Sequence, residues 1–123
     1  PLAKRVIELP AGLVGDVTGQ EDESLETAVH RELLEETGYE AGRIERLCEG
    51  PSAPGICSER LTLYLATDLN KVAAGGGDAS EDITVHEVPI QEVTTWLTAK
   101  GREGLEIDLK IYTGLFFLPK FKE

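Results

Sequence analysis

The sequence predicts an α/β (α+β) domain with a mixed sheet between helices, and three observations carry that prediction. A short apolar strand precedes a four-turn helix. Alternating polar and apolar segments follow it, with Leu61, Leu63 and Leu65 set against Thr62, Tyr64 and Ala66. Two further segments at helical spacing then close the chain. With 123 residues there is enough chain for a single domain with a modest core.

In order, Arg5 to Leu9 reads as a strand that ends at Pro10, and Pro10-Ala11-Gly12 as a turn. Glu23 to Tyr39 reads as a helix and its exit, with Ser24 or Asp22 available to cap the start and Gly38 placed where a helix ends. Arg43 to Glu49 alternates with one break and reads as a strand. Gly50 to Gly55 is a loop with two prolines, and Leu61 to Ala66 is the clearest strand. Lys71 to Asp82 is a glycine-rich, acidic loop containing the low-complexity run Ala73 to Gly77. Ile83 to Val88 reads as a strand and Gln91 to Lys100 as a helix carrying Val93, Trp96 and Leu97. A final helix spans about Ile107 to Leu118 and is broken by Pro119; Leu109, Tyr112, Phe116 and Phe117 are assigned to the core.

The first helix has its acids in an unusual place. At about 100° per residue, Leu25, Val29 and Glu36 lie within roughly 60° of Glu32 on one side, with Ala28 and Glu35 on the other. Glu32 and Glu36 therefore share the stripe that should face the core. Carboxylates there repel one another and lose hydration, at a cost of several kcal/mol each. A divalent cation, Mg²⁺ or Mn²⁺, offsets that cost, because hard oxygen ligands at such spacing can converge on it. The alternative is a helix whose acids reach water at the edge of the stripe.

The segment resembles the Nudix box, Gly-x5-Glu-x7-Arg-Glu-U-x-Glu-Glu-x-Gly-U, where U is bulky and apolar. Glu23, Arg31, Glu32, Leu33, Glu35, Glu36, Gly38 and Tyr39 fill every position from the first glutamate onward. Six residues before Glu23 the box has Gly and this chain has Val17. The departure reads as an insertion of about five residues within Gly15 to Asp22, a loop composition that lengthens at little cost. Gly12 then supplies the opening glycine. The resemblance runs from about Leu9 to Leu97.

The resemblance implies a Nudix-like α/β/α sandwich with the acidic helix packed on a mixed sheet. It implies a Mg²⁺- or Mn²⁺-dependent hydrolase in which water attacks a phosphorus of a diphosphate, the metals neutralising charge and activating the water. By position, Glu32 and Glu36 are the first metal ligands, with Glu35 and the Ala11 carbonyl beside them. Arg31 is an orienting salt-bridge partner, and Glu23 shapes the loop. The general base is sought on the acidic loop among Asp78, Glu81 and Asp82, with Glu81 preferred for its reach; the alternative is a solvated loop.

Pro54 lies 15 residues beyond Tyr39, which resembles the mark of the ADP-ribose pyrophosphatase subgroup. The following Ser58 and Glu59, with Gly12 and Pro54, are the implied substrate-binding residues; the alternative is a turn stiffened by proline. Three readings follow: hydrolysis of ADP-ribose or a related nucleoside diphosphate sugar to AMP and a sugar phosphate, the same chemistry on a dinucleotide or GDP-sugar, and a nucleotide-binding module without turnover. The resemblance also implies a homodimer. Relatives of this type carry an N-terminal segment ahead of the turn, where only Pro1 to Leu9 stand here.

A formal charge of −11 argues against nucleic acid or an anionic membrane as partner. No apolar run is long enough to span a bilayer and no signal peptide is visible, so a cytoplasmic protein is expected. Cys48 and Cys57 match no zinc spacing and are expected as reduced thiols. His30 and His86 have no serine or cysteine partner at a recognisable spacing and are expected at the surface.

Overall fold

The computed structural model describes residues 3–12 and 24–118. The elements in order are β1 (Val6–Ile7), α1 (Leu25–Thr37), β2 (Tyr39–Pro51), β3 (Arg60–Lys71), a 3-10 turn at Ile90–Glu92, α2 (Val93–Arg102), β4 (Glu106–Ile107) and α3 (Lys110–Phe116). This is the expected α+β class. Among the described residues the strands form two separate two-stranded sheets, with β1 parallel to β4 and β2 antiparallel to β3. Glu23, Val17, the Gly15–Asp22 insertion and Pro119 lie outside the described residues.

Helix α1 starts where Ser24 accepts a hydrogen bond from the Thr27 N–H at 3.1 Å. It ends at Gly38, whose φ of 80° is the left-handed conformation that glycine adopts without cost, and whose N–H donates to the Leu34 carbonyl at 2.9 Å. The helix packs against β2 and buries Ala28. Leu25, on the same stripe, is nevertheless 46 % exposed.

The β2–β3 hairpin is longer than its sequence pattern suggests. Its register shifts between Arg46 and Cys48, so Leu47 is the extra residue of a bulge. That accounts for the break in alternation along Arg43 to Glu49: an extra residue turns the following side chains to the other face.

Two expectations are corrected. Ile83 to Val88 forms no ladder among the described residues. Its alternation survives as burial, with Ile83 and Val85 half-buried and Thr84 and His86 exposed. Period-two patterning reports which side chains turn inward, whereas a strand also needs a neighbour for its backbone. Side chains hold this segment instead. Arg5 donates to Asp82 at 2.7 Å and to Thr84 at 3.4 Å, and the Tyr39 hydroxyl donates to Glu87.

The last helix is also shorter than expected. Glu106 and Ile107 pair with Val6 and Ile7, and α3 begins after Asp108 accepts the Lys110 N–H at 3.0 Å. Its inward residue is Ile111, 5 % exposed, while Leu109, Tyr112 and Phe116 are 77 %, 46 % and 65 % exposed. Of the four residues assigned to the core only Phe117 is half-buried; Gly114, Leu115 and Leu118 share the Ile111 side at helical spacing. Among the described core side chains Leu97 of α2 is the most deeply buried, at 2 % exposed. No helix among the described residues is long and apolar enough to cross a membrane.

Candidate active site

Three acids and an arginine occupy the last two turns of α1. The Arg31 Nη1 donates to Glu32 Oε1 at 2.7 Å and to Glu35 Oε2 at 3.4 Å. The Arg31 and Glu32 side chains are only 14 % and 13 % exposed, whereas Glu35 keeps 47 %. A charge-assisted bond of this kind holds a partly buried carboxylate in one orientation. The stripe geometry is therefore realised for Glu32 and Glu36, while Glu35 reaches water.

The turn after β1 brings backbone up to these acids. The Ala11 N–H donates to Glu36 Oε2 at 2.9 Å. Gly12 lies so close to Glu32 that a Cβ at this position would overlap its carboxylate. Ala11, Gly12, Glu32 and Glu36 are thus brought together, and the group of Ala11 engaged here is its N–H.

Burial pushes the Glu36 carboxyl up from 4.5 to about 7. The Ala11 N–H opposes the rise, and the negative charges of Glu32, Glu81 and Glu8 add to it. An acid half out of water that feels the charges of three others is where a hard cation would restore balance. Among the described residues, no three His, Cys, Asp or Glu side chains stand close enough to form a ready-made ion cage. Each acid is turned toward a protein donor instead: Glu32 to Arg31, Glu36 to Ala11 and Glu81 to the Asp78 N–H at 2.8 Å.

The glycine-rich loop is fastened to the end of α1. A helix leaves its last carbonyls without intrahelical partners. Here Gly76 donates to the Glu36 carbonyl at 2.8 Å and Gly77 to the Glu35 carbonyl at 2.9 Å. The Thr37 hydroxyl caps the Leu33 carbonyl at 2.6 Å, and Val72 and Ala73 donate to the Gly38 carbonyl. The loop thereby carries its three acids to different places. Asp78 accepts from Ser80, Asp82 pairs with Arg5, and Glu81 is the one whose charge reaches Glu36.

A cleft of about 960 Å³ opens between β1, the end of α1, the 81–88 segment and α2, with Glu8, Ala11, Glu36, Glu81, His86 and Trp96 in its wall. His86 is exposed, its ring 5.1 Å from that of Trp96, and the Lys100 ammonium lies 5.6 Å from the indole. The sequence reading passed over this stack and the role of Gly75 to Gly77. Asking where the last carbonyls of α1 find donors would have pointed to the glycines.

Pro54, Ser58 and Glu59 are exposed on the hairpin loop between β2 and β3. That loop is closed by the Ser52 N–H donating to the Glu59 carbonyl at 3.1 Å. The lining of the cleft includes none of these three, and of the acids of α1 it includes Glu36 but not Glu32 or Glu35, nor does it include Gly12 or Arg31. Both cysteines are free, Cys48 half-buried on β2 and Cys57 exposed on the same loop.

An acid-bearing helix capped by glycine, a backbone turn laid against its carboxylates and an acidic loop facing them define a site of the Nudix type. The NUDIX domain pattern matches residues 2–106, and the chain belongs to that family. Among curated proteins it is similar to the GDP-mannose pyrophosphatase of Citrobacter koseri, at 32 % identity over 111 residues, which is 88 % of this chain and 55 % of that protein. The GDP-mannose pyrophosphatase of Enterobacter sp. (strain 638) is 34 % identical over the same shares, and that of Escherichia coli O1:K1 is 32 % identical. The chain spans about half the length of these relatives.

Proposed function

We propose that this chain hydrolyses the diphosphate bond of a nucleoside diphosphate sugar in the cleft between β1, the end of α1 and the 81–88 segment. The observation that carries this reading is the turn after β1 laid against the acids of α1, with the Ala11 N–H on Glu36 at 2.9 Å and Gly12 against the Glu32 carboxylate. A group of oxygen donors with excess negative charge suits a hard divalent cation, Mg²⁺ or Mn²⁺. Glu32, Glu36 and Glu35, with the Ala11 carbonyl, would hold it. When bound, the metal neutralises the diphosphate and lowers the pKa of water.

The chain's own residues do the rest. Arg31 orients Glu32 and Glu35. Glu81 accepts the proton as a water oxygen bonds to one phosphorus and the bond from that phosphorus to the bridging oxygen breaks. The products are a nucleoside monophosphate and a sugar phosphate. Partly buried acids held by Arg31 argue against a pure nucleotide-binding module, which has no need of them.

GDP-mannose is the first substrate to test, because the named relatives act on it by name. ADP-ribose is the second, on the position of Pro54, and would give AMP and ribose 5-phosphate. A homodimer in the cytoplasm is the accompanying proposal, with sedimentation as its check.

Product release from GDP-mannose, ADP-ribose, NADH and a diadenosine polyphosphate, with and without Mg²⁺, tests the reading. Metal-dependent release of GMP or AMP from a diphosphate sugar is expected. A folded, Mg²⁺-binding protein that turns over none of the four would overturn it.

A further inference from the structure

Three consecutive glycines, Gly75, Gly76 and Gly77, have φ of +76°, +100° and +80°, a conformation that side chains rarely adopt. Their surroundings differ. A Cβ on Gly75 would lie 2.5 Å from the Thr37 carbonyl carbon and 2.8 Å from the Glu36 oxygen, so this glycine allows close approach to α1. A Cβ on Gly76 would find only the Ile83 oxygen at 3.8 Å. On Gly77 it would overlap the Glu81 carboxylate and lie 2.9 Å from the Glu81 Cβ and Cδ.

The same two residues that anchor this loop carry acids of the site. Gly76 and Gly77 donate to the backbone carbonyls of Glu36 and Glu35, and the next N–H, that of Asp78, donates to Glu81 Oε2 at 2.8 Å. A continuous path of backbone hydrogen bonds therefore runs from the acid-bearing turn of α1 to the Glu81 carboxylate. The Glu81 side chain folds back over the bare α-carbon of Gly77.

We infer that Gly77 is a positioning residue: its bare α-carbon seats the Glu81 carboxylate at a set place relative to Glu35 and Glu36. This rests on the proposed role of Glu81 as proton acceptor in diphosphate hydrolysis. Any side chain at 77 displaces that carboxylate, whatever becomes of the loop's own conformation.

The test is steady-state hydrolysis of GDP-mannose and ADP-ribose with Mg²⁺ by wild type, Gly76→Ala, Gly77→Ala, Glu81→Gln and the double variant Gly77→Ala/Glu81→Gln, with amide hydrogen exchange at Asp78. Gly77→Ala should lower kcat about tenfold or more with KM within about twofold, the pattern of a misplaced group that acts on the bound substrate. Gly76→Ala carries comparable backbone strain without the overlap and should lose less. In the Glu81→Gln background Gly77→Ala should add no further loss, and Asp78 amide protection should fall in Gly77→Ala but not in Gly76→Ala. Equal losses in the two glycine variants, or losses at 77 and 81 that multiply, would overturn the inference. Gly77→Asn, which tolerates left-handed backbone yet still carries a Cβ, gives the same comparison if Gly77→Ala does not fold. A wild-type protein that turns over neither compound overturns the hydrolase reading and the role of Gly77 with it, a result distinct from failure of Gly77 alone.

Discussion

The Ala11 N–H donates to the Glu36 carboxylate at 2.9 Å, and this bond ties the turn after β1 to the last turn of α1. It offsets only part of what burial and the neighbouring acids cost Glu36, whose carboxyl stays near pH 7. A folded-state value above the unfolded 4.5 means that the folded chain binds more protons between those limits. Stability contributed by this group is thus fully present below about pH 4.5 and is lost as pH rises through about 7.

In metal-free protein held with a chelator, the contribution of this group should fall on going from pH 5 to pH 8. Glu36 is only half-buried, so after allowance for solvent screening the effect is on the order of 1–2 kcal/mol. Denaturation midpoints across that range, in wild type and Glu36→Gln, measure it; the glutamine variant should lose the corresponding slope. Addition of Mg²⁺ to wild type near pH 7 should release protons.

Glu36→Gln should abolish most turnover while leaving the fold intact, because it removes a charge that the apo protein holds at a cost. A loss of roughly 10²-fold or more in kcat is expected if the carboxylate serves the metal or the reaction. Turnover within a few-fold of wild type would remove Glu36 from the site.

Arg31→Ala takes the donor from Glu32 and Glu35 together. With Glu32 only 13 % exposed, the vacated charge should cost about 1–3 kcal/mol of stability and weaken metal-dependent turnover. Arg31→Lys should restore charge but not the planar guanidinium that reaches Glu32 and Glu35, and so recover stability more than activity. Chemical denaturation and kcat measured on the same preparations separate the two effects.

Gly38→Ala should destabilise by about 1–2 kcal/mol from its left-handed backbone alone. The added Cβ would also overlap the Ala73 carbonyl, which forces the 72–77 loop away from α1. The denaturation midpoint gives the first effect, and amide exchange at Gly76 and Gly77 gives the second.

Glu59→Ala and Ser58→Ala should leave turnover by a single chain within about twofold, since neither residue lines the cleft and surface substitutions away from a site are usually small in effect. A large loss in kcat/KM would mean that the hairpin loop reaches the substrate of another copy. Measurement across a range of protein concentration distinguishes the two.

Much of the site was legible because a helix has one period. Given the spacing of Arg31, Glu32, Glu35 and Glu36, their relative directions follow from backbone geometry, and Ser24 and Gly38 mark the ends by their own chemistry. The strands at Arg43 to Glu49 and Leu61 to Ala66 were legible in the same local way, down to the break that became the Leu47 bulge, whereas their pairing and full length were not. Ile83 to Val88 misled because alternation signals a half-buried face and contains no information about a pairing partner. Leu109, Tyr112 and Phe116 misled because apolar residues on a short helix read as core until the phase of Ile111 is known.

The sequence by itself determined the α+β class, the acid-bearing helix with its caps, and the family to which the chain belongs, since each depends on residues near one another in the chain. Only the tertiary structure decided that Ala11 meets Glu36, that Gly76 and Gly77 close the helix end, that Glu81 rather than Asp78 or Asp82 bears on Glu36, and that Pro54 stands away from the cleft. Those are contacts between segments tens of residues apart. They are chosen by which unsatisfied carbonyls, carboxylates and apolar faces find partners when the whole chain packs, a competition that no local pattern records.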